Sequence, residues 1–359
     1  MITTHDNNNN PKYLFFNNIN THELIIRSDD AQCQEYCTLD YPLDLPNHAW
    51  CAISHGLMCL SGMFNDGFRY NPKIYLWNPL VEKYKVVPKS PLLKYTEEET
   101  KWKALAFGFL PEVNDYVVIH LVKPYLSCEP EDDPHTVMIG FYSLNSNSWK
   151  TSSEDGFLSE SLSSNDAVFV DGAAFWIGDY SDEHEYQQVI ICFDTNTDIM
   201  FEILLPDIAP QLQNPVIHPF GGLIAYFVED DEDHHLDVWV LKNDAVNEFH
   251  WVNKMSIDLS EDVWVEVLGI RNNGEPILAK SNSLISCNYD NHEPYDFVDS
   301  CDRLSPSSNY EEHHKPPFVI WPFVETLVLL DIGRKPNTIL SRKPWHRNRN
   351  LLESFNYSS

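Results

Sequence analysis

At 359 residues, with 43% hydrophobic and 13% aromatic residues, the chain carries enough apolar side chain to bury a large core, which excludes disorder for its body. Its formal net charge of −30, from 54 Asp and Glu against 24 Lys and Arg, repels phosphate backbones and anionic lipid, so neither nucleic acid nor a membrane surface is an expected partner. No basic-then-apolar leader opens the sequence, and no apolar run approaches the roughly 20 residues of a membrane-spanning helix, so the expected compartment is cytoplasmic or nuclear.

Residues 1–11, with asparagine at positions 7 to 10, read as a disordered polar linker. Lys12 to Phe16 and His22 to Ile26 are strand-like but too few to make a sheet of their own. Ile53 to Leu60, broken at His55-Gly56, and Ile74 to Trp77 predict two strands. Asn78-Pro79 then stops the ladder, because proline has no N–H to give and asparagine tolerates turn conformations, and Tyr84 to Val87 resumes extended. Three strands in about 35 residues cannot bury both faces, so this unit needs neighbours built like itself.

Such neighbours follow. Ile139 to Leu144 runs through a polar turn to Trp149; Val189 to Phe193 runs through Asp194 to Thr197 and on to Met200; Asp237 to Leu241, with Trp239, runs on to Phe249 and Trp251. A weaker copy spans Glu275 to Asp290. The turns recur at roughly 45–65 residues, the range of four-stranded propeller blades. Trp77, Asn78, Pro79, Trp149, Phe193 and Trp239 are therefore expected as structural repeat residues. The expected fold is all-β: a β-propeller of about six blades over residues 12–332, closed by pairing Phe318 to Leu330 with the first strands.

Acidic insertions punctuate the repeat at Glu97 to Glu99, Glu129 to Asp133, Asp182 to Glu185 and Glu229 to Asp233. Loops on one rim of a propeller carry its recognition surface, so Glu129, Glu131, Asp132, Asp133, Glu229, Asp230, Asp231, Glu232 and Asp233 are the candidate binding residues. Asp230 to His235 lacks the rigid spacing of a metal site and reads as a solvated charged loop, so no metal or other cofactor is expected. The eight cysteines match no zinc pattern and read as buried reduced thiols. Residues 333–359, with six Lys and Arg and no acid between Arg334 and Arg349, read as a basic flexible tail: a solvated end, a weak nuclear-import patch or a strap on the acidic body. Neither Gly-x-Ser-x-Gly nor a phosphate-cradling glycine loop is present, so no catalytic residue is assigned.

In order, HGLMCL, IYLWNPLVEKYKVVP, ALAFGFLPEVNDYVVIHL, VMIGFYSLNSNSWKT, AVFVDGAAFWIG and ICFDTNTDIMFEILLP resemble the F-box-associated interaction domain of plant F-box proteins, the group that includes S-locus F-box-like proteins. The resemblance implies a kelch-like propeller that holds a protein client while an N-terminal F-box docks on the Skp-type adaptor of a cullin ubiquitin ligase. An F-box would occupy about 45 leucine-rich helical residues ahead of the propeller, and the sequence opens instead on MITTHDNNNN. The expected function is thus a client receptor of the SCF type without its own F-box, as a truncated gene model, a partial sequence or an isoform that shields clients as a decoy. Adaptor and cullin would join only if an F-box lies upstream. The charge would draw a basic client. The alternative is a propeller enzyme, hydrolase-like, with acids and a His or Arg at the channel mouth.

Overall fold

Where apolar residues recur at every second position the chain runs extended, as in Thr100–Leu110, whose residues alternate between buried and half-buried along most of its length. The computed structural model describes residues 13–18, 23–30, 33–40, 50–63, 72–95, 99–125, 136–156, 159–162, 167–181, 186–206, 216–230, 235–243, 249–258, 265–280, 283–288, 293–298, 318–323, 326 and 330. Within them the chain is β-structure and turns, apart from one 3₁₀ turn at Pro91–Lys94 whose N-cap, Ser90, accepts a hydrogen bond from the Leu92 amide. The expected linker 1–11 and tail 333–359 lie outside the described residues.

Among the described residues the strands make six antiparallel sheets. The first begins with β1 (Tyr13–Asn18), β2 (Glu23–Ser28) and β3 (Glu35–Asp40). The second takes β4 (Trp50–Ser54), β5 (Leu57–Met63), β6 (Pro72–Asn78) and β7 (Lys83–Val86). The third takes β8 (Thr100–Leu110), β9 (Asp115–Pro124), β10 (Val137–Ser143) and β11 (Ser148–Glu154). In the fourth, β12 (Ser161–Leu162) and β13 (Val168–Val170) share the first position against β14 (Ala173–Ser181), followed by β15 (Tyr186–Asp194) and β16 (Ile199–Leu204). The fifth holds β17 (Val216–Phe220), β18 (Leu223–Asp230), β19 (His235–Asn243) and β20 (Phe249–Asp258). The sixth holds β21 (Val265–Ile270), β22 (Pro276–Lys280), β23 (Ser283–Cys287) and β24 (Pro294–Val298). The last strand, β25 (Phe318–Phe323), returns to the first sheet and pairs with β1, Phe15 opposite Trp321 and Tyr13 opposite Phe323.

The innermost strands meet in a closed round: β4 with β8, β8 with β13, β13 with β17, β17 with β21, β21 with β25, and β25 with β4. This is a six-bladed β-propeller whose first blade is completed by the last of the described strands, the closure that the unpaired runs at the two ends of the sequence imply. Closure is tight. A Cβ built on Gly269 of β21 would stand 2.2 Å from the Ile320 carbonyl oxygen of β25, so only glycine admits that approach.

Each strand shows alternate residues to the blades on either side, and one apolar cluster fills each gap. Met58, Leu60 and Trp77 of blade 2 meet Phe15, Leu24 and Ile26 of blade 1, and Cys59 and Leu76 meet Tyr116 and Tyr142 of blade 3. Ile119 and Leu121 meet Trp176 and Phe193. Ile190 and Cys192 meet Tyr226 and Trp239. Val238 and Val240 meet Val267 and Leu278. Ile277 and Leu284 meet Leu14, Phe16 and Ile320, which returns the round to blade 1. At about 1.5–3 kcal/mol for each large apolar side chain removed from water, these six seams hold the ring.

Antiparallel order sends successive connections to opposite ends of the blades. One face carries tight turns. His55-Gly56, Asp171-Gly172 and Gly221-Gly222 join the first and second strands of their blades with both residues at positive φ, the two-residue turn that matches strand twist. Glu82, Asn147 and Asp198 each end a four-residue turn between third and fourth strands with φ of 53°, 51° and 57°. The other face receives the long connections between second and third strands and from one blade to the next.

Candidate functional site

The alternation places the acidic insertions together. Residues 125–136 join β9 to β10 and residues 231–234 join β18 to β19, both on the long-connection face. Glu129, Glu131, Asp132, Asp133, Asp231, Glu232 and Asp233 lie outside the described residues. Glu229 and Asp230 end β18 at that face, with Asp230 opposite His235 of β19. The connections of this face hold 25 Asp and Glu against five Lys and Arg, and those of the tight-turn face hold 11 against one Arg. The difference comes from length, since the long face has more chain in it.

A second asymmetry runs around the ring. From Thr151 to Leu241 there are 19 Asp and Glu and no Lys or Arg. Blade 4, and blade 5 as far as Leu241 of its third strand, therefore form a sector of one sign, a field that acts over several ångströms at physiological salt.

Polar ties join blades across the tight-turn face. Asn78 is fully buried; its Oδ1 accepts from the Leu80 amide at 3.0 Å and its Nδ2 donates to the Thr326 carbonyl at 3.0 Å, which fixes the chain just past β25 to blade 2. Pro79 beside it is buried. Between blades 6 and 1, Arg271 donates from Nε to Asp29 at 2.7 Å and from one terminal nitrogen to Glu275 at 2.9 Å and to the Tyr295 hydroxyl at 2.6 Å, with its guanidinium 4.4 Å from the Phe297 ring centre. Asn272 adds its amide and its Nδ2 to Asp29, at 2.9 and 2.7 Å. On the long-connection side, between blades 3 and 4, the fully buried Lys123 donates to the Ser159 carbonyl at 2.7 Å, and Ser159 donates its amide and hydroxyl to Glu202.

The repeat aromatics fall on two strand positions. Trp77, Phe193 and Trp239 lie on third strands, whereas Trp149 lies on a fourth; the third-strand aromatic of its blade is Tyr142, 5.4 Å from the Trp149 ring. All four face the preceding blade. Trp149 instead matches Trp251: their indole N–H groups donate to Pro88 and Leu204 carbonyls, each at the outer end of the blade before, at 2.7 and 2.8 Å. Trp176 reaches the Leu105 carbonyl of the blade before it in the same way, at 3.3 Å.

The titratable groups are structural. His55 turns at φ 44°, its carbonyl accepts from the Tyr116 hydroxyl at 2.8 Å, and burial lowers its imidazole below the ordinary range. Burial pushes the Cys33 thiol up to about 11 and Cys287 up to about 12, and raises Cys59 and Cys192 as well, which makes poor nucleophiles. Burial also raises Glu266, on an innermost strand, to about 7. Among the described residues no three His, Cys, Asp or Glu are grouped to hold a metal ion.

His120 is buried against Ser90, its Nδ1 2.8 Å from the hydroxyl, and burial with the nearby Lys103 charge lowers its imidazole to about 4. The unfolded imidazole, near 6.5, takes up its proton first as pH falls, so this residue's contribution is complete above pH 6.5 and drains away toward pH 4. Glu266 acts with the opposite sign, since its folded form holds a proton that the unfolded chain has released. The difference between wild type and His120→Gln isolates the histidine: the stability gap measured by urea unfolding should shift by about 3 kcal/mol between pH 7 and pH 4 in the variant's favour. A constant gap would place the imidazole in contact with water.

The F-box associated beta propeller domain family matches residues 2–290. No curated protein matches the chain. Among solved structures, hydrazine synthase of Kuenenia stuttgartiensis aligns at 10% identity and a TM-score of 0.42 over 79% of each chain. The complex of KlAtg21 with the coiled coil of AgAtg16 aligns at 9% identity and 0.40, over 79% of this chain and 82% of that one. A prolyl endopeptidase aligns at 8% identity and 0.42, and there the chain spans only 40% of the other's length.

Proposed function

This chain belongs to the F-box associated β-propeller domain family, and from that premise we propose that it is a protein-interaction module, the client receptor of an SCF-type ubiquitin ligase, working in the cytoplasm or nucleus. The observation that carries the reading is the sorting of connections: a rigid ring presents every connection longer than six residues between its described strands on one face, that of Glu129 to Asp133 included, and the short acidic connection that follows Asp230 leaves on the same face. A basic protein client is drawn to that acidic rim, and the charge acts on the rate of encounter more than on the lifetime of the complex. A Skp-type adaptor and its cullin attach through an F-box, so residues 1–359 alone should leave the adaptor unbound and shield a client as a decoy.

Affinity capture on the full chain identifies the client, and its association rate is then followed as salt shortens the screening length from about 10 Å at 0.1 M to about 3 Å at 1 M. The combined variant Glu229→Gln, Asp230→Asn, Asp231→Asn, Glu232→Gln and Asp233→Asn should slow association and flatten its salt dependence. A rate insensitive to salt removes the electrostatic part of the reading. Stoichiometric binding of a Skp-type adaptor to residues 1–359 removes the decoy.

A further inference from the structure

Every blade ends in an outermost strand whose outer N–H and C=O groups offer a template for another strand, and proteins guard such edges with bulges, lysine, proline or brevity. Among the six outermost strands described, five are guarded. β3, β20 and β24 pair with their neighbours across irregular registers, and β20 adds Lys254 and β24 Pro294. β7 is four residues long with Lys83 and Lys85, and β11 is polar apart from Trp149, with Lys150.

β16 has none of these devices. Ile-Met-Phe-Glu-Ile-Leu pairs with β15 over six residues in unbroken register. Its one charged side chain, Glu202, accepts from the Ser159 amide and hydroxyl rather than guarding the edge. Ile199 and Leu204 stand 52% and 62% exposed, and Phe201 lies 5.4 Å from Phe249 on the neighbouring blade. The Leu204 carbonyl is taken by the Trp251 indole, so the ladder left to a newcomer runs from Ile199 to Ile203.

We propose that β16 is a docking edge on which an extended partner segment, alternating apolar residues with Lys or Arg, adds as a further strand of blade 4. The surroundings select the occupant. β16 lies inside the sector from Thr151 to Leu241 that holds 19 acids and no Lys or Arg, which attracts a basic strand. A second copy of the chain would bring −30 against −30 and the same acidic sector. Backbone pairing supplies the hold, and apolar side chains of the incoming strand cover Ile199 and Phe201 on one side and Leu204 on the other. This rests on the protein-interaction reading and names the partner's chemistry.

The probes are a capped dodecapeptide of alternating Lys and Val and its twin with Glu for Lys, added to the full chain; fluorescence anisotropy reads affinity and hydrogen-exchange mass spectrometry reads position. The Lys-Val peptide should bind about tenfold or more tighter than its twin and slow exchange at 199–203. Two edge variants separate strand pairing from plain charge: Ile199→Lys with Leu204→Lys, and Ile199→Glu with Leu204→Glu. Both sites are exposed, so the fold persists, and both variants should lose about tenfold in affinity and the protection at 199–203. Unchanged or tighter binding by the Glu variant, protection confined to other segments, or no binding at millimolar peptide overturns the docking edge. Client capture by both edge variants at wild-type strength would leave the receptor reading standing and this one fallen.

Discussion

A chain ending at residue 317 should show no cooperative unfolding transition in calorimetry and should bind a hydrophobic dye at neutral pH. Without β25 the inner edge of β1 loses its whole ladder, from Asn18 opposite Phe318 to Tyr13 opposite Phe323. The seam between blades 6 and 1 loses Ile320, and that between blades 1 and 2 loses Phe323 and the half-buried Trp321. Two further anchors leave with it, the Thr326 carbonyl that holds Asn78 and the Leu330 side chain buried with blades 2 and 3. Each large apolar group exposed costs about 2–5 kcal/mol, against a total stability of about 5–15 kcal/mol for a domain, so the ring should not survive. The family match ends at residue 290, ahead of this strand. A transition for residues 1–317 within a few degrees of the full chain would show that five blades and three strands suffice.

The second large effect is expected at the tie between blades 6 and 1. Arg271→Met removes the cation from Asp29, whose side chain is 2% exposed, and from Glu275, 11% exposed. Breaking a buried pair by deleting one partner costs about 3–5 kcal/mol, and here two carboxylates lose the same partner, so about 5 kcal/mol is the expected loss at pH 7. Asn272 still donates twice to Asp29, which keeps the figure from rising further. Arg271→Lys should rescue only part, because an ammonium cannot fork between Asp29 and the Glu275–Tyr295 pair. Urea midpoints for the three proteins at pH 7 decide the matter; a loss under about 1 kcal/mol would mean that water already screens the site.

The ring was readable in the residues because its turns demand particular chemistry. Asp171-Gly172 and His55-Gly56 sit where both positions need positive φ, and Asn78-Pro79 combines a side chain that closes a turn with a residue that cannot donate to a ladder. Alternation around those turns marked the strands, and the bare apolar runs at the two ends implied the closure. The blade ties left no such mark. Asp29 and Arg271 stand 242 residues apart, and each alone looks like any surface charge. The exposed β16 edge was illegible for a related reason, since its character depends on the neighbour it lacks, and Ile-Met-Phe-Glu-Ile-Leu reads like any inner strand. Trp149 and Trp77 looked equivalent because each flanks a polar turn; which side of the turn an aromatic occupies decides its strand, and only pairing reveals that Trp149 answers to Trp251. The acidic insertions were plain in the sequence, while their common face follows from strand alternation, which needs the number of strands in each blade.

The place of β25 also sets a schedule. Tyr13, Leu14, Phe15 and Phe16 leave the ribosome about 300 residues ahead of the strand that covers their edge. At about 5–20 residues per second the interval between them is roughly 15–60 s, many times longer than a hairpin needs to form. Five blades have time to assemble while blade 1 waits with an apolar ladder open on its inner side, the kind of edge to which chaperones and other nascent chains adhere. Ring closure thus reports that translation has run past residue 323, and a prematurely terminated product keeps a sticky edge by which quality control can tell it from a finished one.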